Sequence, residues 1–457
     1  MDPLYASIRL LVRFWIWFFF KAVEVRHVER VPRQGPVLLC VNHPNNLIDS
    51  LLVGAVLARK VHYLATAALF KNRLLASFLT AVGVIPVYRR EDDPDKMDKN
   101  VGTFEACFSA FAKGHLIAIY PEGTTHAEPR VQRIKTGAAR IALEAEARQG
   151  DTLGLTVIPV GLSFQARKSF GSRVLASFGE PILLAPYLSP YRDDPWKAVE
   201  SLTREIQWGM EAQVIHVERI DLAELVREVE ALYRGDLVRE LQEERGLPGE
   251  QIDLFRLSRA IVAAVHRFKA NDPDRVERIW QRIQAYKGLL AEYRIKDQAV
   301  RARLQSPQPA RRLGRSSLGL LGLPLFAYGL AVNALPYFVP RWLARNLTRK
   351  ETDYATARLL SAMVLIPFFW GLETWVVWRL AGLVAAVLFF ASLPLSGLLA
   401  YRYLGGLGRL RQELRFARLA MTRSHAASRL LAERAQILEE LDRAKRDYLA
   451  ATKGSTF

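Results

Sequence analysis

At 457 residues the chain is too long for one compact core, so two or more structural units are expected. Half of the residues are hydrophobic, the formal net charge is +18 and the pI is about 10.0. A basic chain whose apolar residues come in long blocks suits an anionic lipid surface and argues against nucleic acid as its partner. Its two cysteines, Cys40 and Cys107, both lie inside apolar segments with no metal or redox spacing, which excludes a disulfide framework and reads as buried thiols.

In chain order, residues 1–24 form an aromatic, apolar segment interrupted by Arg9, Arg13 and Lys21, with no small-residue cleavage site after it. Arg9 and Arg13 share one helix face, which fits a helix lying in the membrane interface; a core helix of the first domain is the alternative. Residues 25–195 alternate short apolar runs with helical spacing. Strands are expected at 37–41, 61–65, 84–88, 116–120, 155–162 and 174–178, and helices at 47–57, 74–81, 101–113 and 136–148. That alternation predicts an α/β fold with a largely parallel central sheet flanked by helices.

Residues 196–305 are rich in charge and poor in Gly and Pro, with apolar residues at helical intervals such as Leu222, Leu225, Val226, Val229 and Leu232. They predict a charged helical extension, within which Arg234, Gly235 and Asp236 read as an interhelical turn. A Pro- and Arg-rich linker over 306–315 leads to membrane segments at about 316–339, 359–378 and 380–404, each long enough for an ≈ 30 Å hydrocarbon core. Arg379 alone separates the last two, which suggests a tight hairpin. Arginines on both flanks (Arg311, Arg312 and Arg315; Arg402, Arg409 and Arg411) place both in the cytoplasm and require an even number of crossings. Pro324 and Pro336 therefore mark the first block as re-entrant or broken. Residues 405–457 close the chain as a basic amphipathic helix.

Three constellations carry chemistry, each after an expected strand. His43 followed by Asp49 joins an imidazole, the usual acceptor of an alcohol proton near neutral pH, to a carboxylate that fixes its tautomer. No Ser or Cys in a nucleophile-elbow setting accompanies them, so direct attack by a substrate hydroxyl is indicated, although a structural His–Asp hydrogen bond has the same appearance. Next, in Tyr120-Pro121-Glu122-Gly123-Thr124-Thr125-His126, the glycine lets backbone approach a ligand and the hydroxyls and turn amides suit phosphate oxygens. Lastly, the 84–88 strand delivers Arg89 and Arg90, either a bidentate phosphate site or a solvated strand end.

Together these stretches resemble the phospholipid/glycerol acyltransferase family. Its first motif is Asn-His followed by Asp, matched by Asn42, His43 and Asp49. Its third is Phe-Pro-Glu-Gly-Thr, with Tyr120 here replacing Phe, and a later strand ending in Pro-Val-Gly matches Pro159, Val160 and Gly161. The resemblance covers 25–186. It implies acyl transfer from a thioester of coenzyme A or acyl carrier protein, as co-substrate with no further cofactor, to glycerol 3-phosphate, 1-acylglycerol 3-phosphate or a related lysophospholipid. It implies His43 as base with Asp49 as partner, Arg89 on the acceptor phosphate, and Glu122 and Gly123 shaping the acceptor pocket. Asn42, Arg90, Thr124, Thr125 and Lys135 complete the substrate-binding candidates.

Two departures stand out. Five residues rather than the usual four separate His43 from Asp49, which turns a helical position by ≈ 100° unless the intervening turn absorbs it. Thr125 stands where an Arg commonly follows Glu-Gly-Thr, and its role falls to Arg130, Arg133 or, with the better claim, Lys135. The late segments are similar to those of long membrane-bound members, implying an integral membrane protein with its catalytic domain on the cytoplasmic face. Two further readings stay open: a non-catalytic lipid-binding or membrane-remodelling protein on the same scaffold, and an acyl-thioester hydrolase.

Overall fold

A computed structural model describes residues 2–89, 94–167, 170–215, 220–245, 252–305, 322–348 and 350–452. The 306–315 linker, residues 316–321 and Arg90 lie outside the described residues. Contacts divide the chain into two compact units, residues 1–218 with 340–363, and residues 219–339 with 364–457.

The first unit is built on a sheet ordered β1-β7-β6-β2-β5-β3-β4, with β8 paired to β6. Its strands are β1 (Ala22–Arg26), β2 (Val37–Val41), β3 (Val61–Thr66), β4 (Val84–Val87), β5 (Leu116–Ile119), β6 (Thr156–Phe164), β7 (Arg173–Phe178) and β8 (Ile182–Leu183). All five β2 residues are buried because both faces of the sheet are covered. Leu38 and Cys40 join one core with Cys107 and Phe111 of α4 (Asn100–Ala112), Ile141 of α5 (Gly137–Arg148) and Ile206 of α7 (Pro195–Glu211). The alternate residues face the other side, where α2 (Leu47–Val56) buries Ile48, Leu52 and Val53. Burial pushes the Cys107 thiol up to about 12 and keeps Cys40 protonated as well.

Parallel pairing holds for β2 with β5 and β6, for β3 with β4 and β5, and for β1 with β7. β7 and β8 run antiparallel to β6, so the mostly parallel sheet closes on a mixed edge. β1, with Glu24 and Arg26 on an exposed edge, lacks the apolar run that marks its neighbours. The helix α1 (Pro3–Phe19) buries Tyr5, Val12, Trp15, Ile16 and Phe19 while Leu10, Leu11, Phe14 and Trp17 remain exposed. It therefore serves the core on one side and presents aromatic surface on the other. The remaining helices of this portion are α3 (Arg73–Ala81) and α6 (Ala185–Asp193), the latter formed inside a Pro-rich stretch because Pro186 occupies the first turn, where its missing N–H is no loss.

The second unit contains α8 (Ile220–Arg245), α9 (Leu254–Asn271), α10 (Pro273–Glu292), α11 (Asp297–Gln305) and α14 (Ser424–Thr452). Its centre holds a charge. Arg434 is 2% exposed; its Nε donates to Asp297 Oδ1 at 2.8 Å and its Nη2 to Asp236 Oδ2 at 3.1 Å and to the Leu232 carbonyl at 3.2 Å. The Tyr286 hydroxyl donates to the same Asp297 oxygen at 2.8 Å. Asp236 thus lies within α8, and the Arg234–Asp236 triplet is helical rather than a turn. Gly235 suits that place, since a Cβ there would sit 2.1 Å from Arg301 Nη1.

Among the described residues, two helices are long and apolar enough to cross a membrane, α12 (Leu323–Leu347) and α13 (Tyr354–Thr422). α12 is continuous past Pro336 and Pro340, so the first block, expected to be re-entrant or broken, has no break over its described residues; neighbouring groups in a helical bundle tolerate Pro in such helices. α13 reverses at Gly382, whose φ of 84° lies in glycine's region. The Trp370 and Phe390 rings are 6.5 Å apart, whereas twenty residues of straight helix would separate them by about 30 Å. The second arm continues to Thr422, so the basic C-terminal stretch is divided at Arg423 instead of forming one helix from 405. Asn333 ties the arms: its Nδ2 donates to Ser396 Oγ at 3.3 Å, and Trp370 Nε1 donates to its Oδ1 at 3.2 Å.

Removing the Arg434 guanidinium strands two carboxylates beside a buried tyrosine. Arg434→Ala is expected to lower unfolding free energy by about 3–5 kcal/mol, measured by denaturant titration in detergent against wild type. A second expectation concerns the amino ends of β3 and β5, where the His62 and His115 rings stack at 4.5 Å. Burial, then the neighbouring His115, lowers His62 to about 4, and burial beside Lys113, Lys60 and Arg59 lowers His115. The folded state therefore binds fewer protons than the unfolded one between pH 6.5 and 4, and stability falls as pH drops through that window. His62→Phe, which keeps a stacked ring without titrating, should show a smaller drop in thermal midpoint from pH 7 to pH 4.5.

Candidate active site

The carboxyl ends of β2, β5 and β6 are neighbours in the sheet, so the loops that follow them share one edge. His43 follows β2, and its Nδ1 lies 2.9 Å from Asp49 Oδ2. Because the carboxylate accepts, Nδ1 carries the proton and Nε2 presents its lone pair. The His43 side chain is 17% exposed, enough for a substrate to reach the ring, whereas that of Asp49 is fully buried. The same Asp49 oxygen accepts the Asn45 backbone N–H at 2.8 Å, and Oδ1 has no hydrogen-bond partner among the described residues. Burial raises the Asp49 carboxyl above its usual range, while the His43 and Asn45 hydrogen bonds draw it back and nearby Glu122 raises it further.

The fifth residue between His43 and Asp49 is accommodated before the helix. Asn46 adopts φ 50°, ψ −133°, and α2 starts at Leu47, so Asp49 enters the first helical turn facing His43. A non-glycine residue in that region costs of order 1–3 kcal/mol and persists only where its surroundings hold it. The holding contacts come from 340–363, which belongs to the same unit. Asn46 Nδ2 donates to Asp353 Oδ1 at 2.7 Å, and Thr356 Oγ1 approaches the Asn45 carbonyl at 3.4 Å.

Tyr120, at the end of β5, stacks on the His43 ring with centroids 3.9 Å apart and planes 20° from parallel. Its hydroxyl is 2.7 Å from Ser50 Oγ, and the Ser50 carbonyl accepts from Tyr63 at 2.7 Å, so the serine that anchors the ring is itself held. Burial keeps the Tyr120 phenol far above its ordinary value. A Phe would stack equally but lack that anchor.

Gly123 follows with φ 72°. A Cβ there would meet Lys135 Nζ at 2.7 Å, and its carbonyl accepts from Arg89 Nη1 at 3.0 Å. Arg89 and Lys135 therefore converge on one turn, beside exposed Thr124 and half-buried Thr125, just before the N-terminus of α5. Arg130 instead pairs with Glu128 at 2.7 Å. Two sequence candidates turn inward. Asn42 exchanges hydrogen bonds with the Leu162 backbone at 3.0 and 2.6 Å, which occupies its amide and fastens the end of β2 to β6. Glu122 is 3% exposed and its Oε2 meets His126 Nε2, so it braces the turn from within.

Arg167 carries no motif signal, yet it binds the two loops together. Its Nη1 donates to the Pro44 and His126 carbonyls, each at 3.3 Å, and its Nη2 to that of Ala127 at 2.6 Å. Only the pairing of β6 beside β2 reveals it.

Residues 22–163 match the family model for acyltransferases. The chain is 28% identical over 207 residues to glycerol-3-phosphate O-acyltransferase 2 of Saccharomyces cerevisiae, covering 45% of this chain and 26% of that one. It is 24% identical over 447 residues to an uncharacterized acyltransferase of Schizosaccharomyces pombe, covering 78% of this chain and 63% of that one. The chain thus spans under two thirds of the length of these relatives. A crystal structure of the 1-acyl-sn-glycerophosphate acyltransferase of Thermotoga maritima matches 44% of this chain and 78% of its own at 19% identity, with a TM-score of 0.33. Over residues 22–163 this chain therefore resembles the acyltransferase family, the stretch that holds the His43–Asp49 pair and the Gly123 turn.

Proposed function

We propose that the protein transfers a fatty acyl group from a thioester to the hydroxyl of glycerol 3-phosphate or 1-acylglycerol 3-phosphate at a membrane surface. The observation that carries this reading is the His43–Asp49 pair at 2.9 Å, stacked on Tyr120 and beside the Gly123 turn that Arg89 and Lys135 approach. His43 Nε2 takes the acceptor proton as the hydroxyl oxygen attacks the thioester carbonyl. Buried Asp49 stabilises the imidazolium that forms. When the tetrahedral intermediate collapses, the C–S bond breaks and the imidazolium returns its proton to the departing thiolate. Arg89 and Lys135 hold the acceptor phosphate, and the positive end of α5 favours the same anion.

The yeast relative's name supports glycerol 3-phosphate as the acceptor to test first. Either coenzyme A or acyl carrier protein suits the donor, since the chemistry requires only the thioester. The apolar helices α12 and α13 support residence in a bilayer, and the basic residues Arg402, Arg409 and Arg411 support a cytoplasmic catalytic side.

Purified protein given labelled acyl thioester with glycerol 3-phosphate, dihydroxyacetone phosphate or lysophospholipids should form an acylated product only with an acceptor. Free fatty acid release independent of acceptor would make it a hydrolase, and no turnover would favour a binding role. His43→Ala is expected to lower acyl transfer by roughly 10²–10⁴-fold while the protein stays folded, as read by circular dichroism. Near-normal turnover of that variant excludes His43 as base. Lys135→Met should raise KM for the phosphate-bearing acceptor by about tenfold and leave KM for the donor within about twofold, because only the acceptor carries the anion at this turn.

A further inference from the structure

The motif regions do not hold the dyad alone. Asn45 and Asn46 sit in the turn between His43 and Asp49, and both are engaged by a stretch more than three hundred residues later. Asp353 accepts from Asn46 Nδ2 at 2.7 Å, and Thr356 approaches the Asn45 carbonyl at 3.4 Å. The Asn45 N–H in turn donates to Asp49 Oδ2, the oxygen that holds His43 Nδ1. A continuous chain of polar contacts therefore runs from the start of α13 to the imidazole. Asn46 also holds a backbone conformation, φ 50° and ψ −133°, that favours glycine.

If the backbone alone mattered, glycine would serve better than asparagine. The amide earns its place through Asp353. We propose that Asn46 and Asp353 form a latch that positions the catalytic dyad, so that the late segment 350–356 is part of the functional active site and Asn46 is a positioning residue for acyl transfer. The inserted fifth residue between His43 and Asp49 is then the attachment point for that segment. This inference rests on His43 acting as the base, and its test separates the two.

Three variants and two readouts decide it. Asn46→Gly relieves the backbone and removes the donor; Asp353→Ala removes the acceptor; Asp353→Asn keeps an oxygen acceptor without the charge. Each is measured in the full-length, detergent-purified protein for acyl transfer and for the rate of His43 carbethoxylation by diethyl pyrocarbonate, followed by mass spectrometry. The latch predicts that Asn46→Gly and Asp353→Ala each lower kcat by about tenfold or more, with KM for the thioester within about twofold, because the dyad is misplaced while donor binding is not. It predicts that the double variant is no worse than either single one, that Asp353→Asn recovers most of kcat, and that His43 modification shifts by at least about threefold in the two defective variants. A purely structural role for Asn46 predicts the reverse, with Asn46→Gly as active as wild type or more stable. Wild-type kcat and an unchanged His43 modification rate in Asn46→Gly overturn the latch. Should wild type show no turnover, the modification rate still tests the latch, and it is the acyltransferase reading that falls.

Discussion

A buried carboxylate is the constraint on which the site depends. Asp49 lies wholly out of water, where an unpaired charge would cost several kcal/mol. One of its oxygens meets that demand by accepting from both the His43 ring and the Asn45 backbone. The ring is therefore fixed in orientation and tautomer before any substrate arrives. Burial also strengthens the response to charge: in the proposed reaction, an imidazolium formed 2.9 Å away would meet a carboxylate that water does not screen. The same burial raises the carboxyl above its usual range, a tendency that the hydrogen bonds from His43 and Asn45 oppose.

The sheet brings the rest within reach. Parallel pairing of β2 with β5 and β6 sets their carboxyl ends side by side, so loops 80 to 120 residues apart in sequence become neighbours. Stacking of Tyr120 on His43 and the three carbonyls gathered by Arg167 turn that proximity into fixed geometry. Arg89 reaches the same edge from β4, two strands beyond β5, through the Gly123 carbonyl. These are interactions between loops on a rigid scaffold, which suits side chains that must be both placed and accessible.

What the sequence disclosed follows the range of the physics involved. Apolar runs and helical spacing are local, so most strands and helices of residues 25–195 were legible within a residue or two, as were the three loops that carry chemistry. Features decided by distant partners were not. The five-residue gap was visible as an anomaly, but its resolution depends on Asp353. Asn42 looked like a substrate contact because of its motif position; its amide is claimed by Leu162, on a strand whose neighbour in space is not its neighbour in sequence. The Arg234–Asp236 triplet has turn-forming composition, yet buried Arg434 draws Asp236 into the core and the helix continues. α12 passes Pro336 for a related reason: local rules predict a break, and an apolar environment leaves helix as the conformation that satisfies the most backbone groups.

In the proposed reaction, Lys135 supplies the positive charge of the usual Arg that Thr125 replaces. An arginine in the loop itself would extend into solvent and lose side-chain entropy when ordered over a ligand. Lys135 instead comes from the segment entering α5, where its backbone N–H is already fixed to the Pro121 carbonyl at 2.8 Å and its side chain lies over the open face of Gly123. The cation, the glycine that makes room for it and the positive end of α5 thus share one locus. Any side chain at residue 123 would occupy the place of the ammonium, so the glycine is required twice, by its φ of 72° and by its neighbour. That double demand ties the Glu-Gly-Thr turn to the lysine thirteen positions from Glu122, so the backbone of the turn and the cation beside it are set by the same glycine.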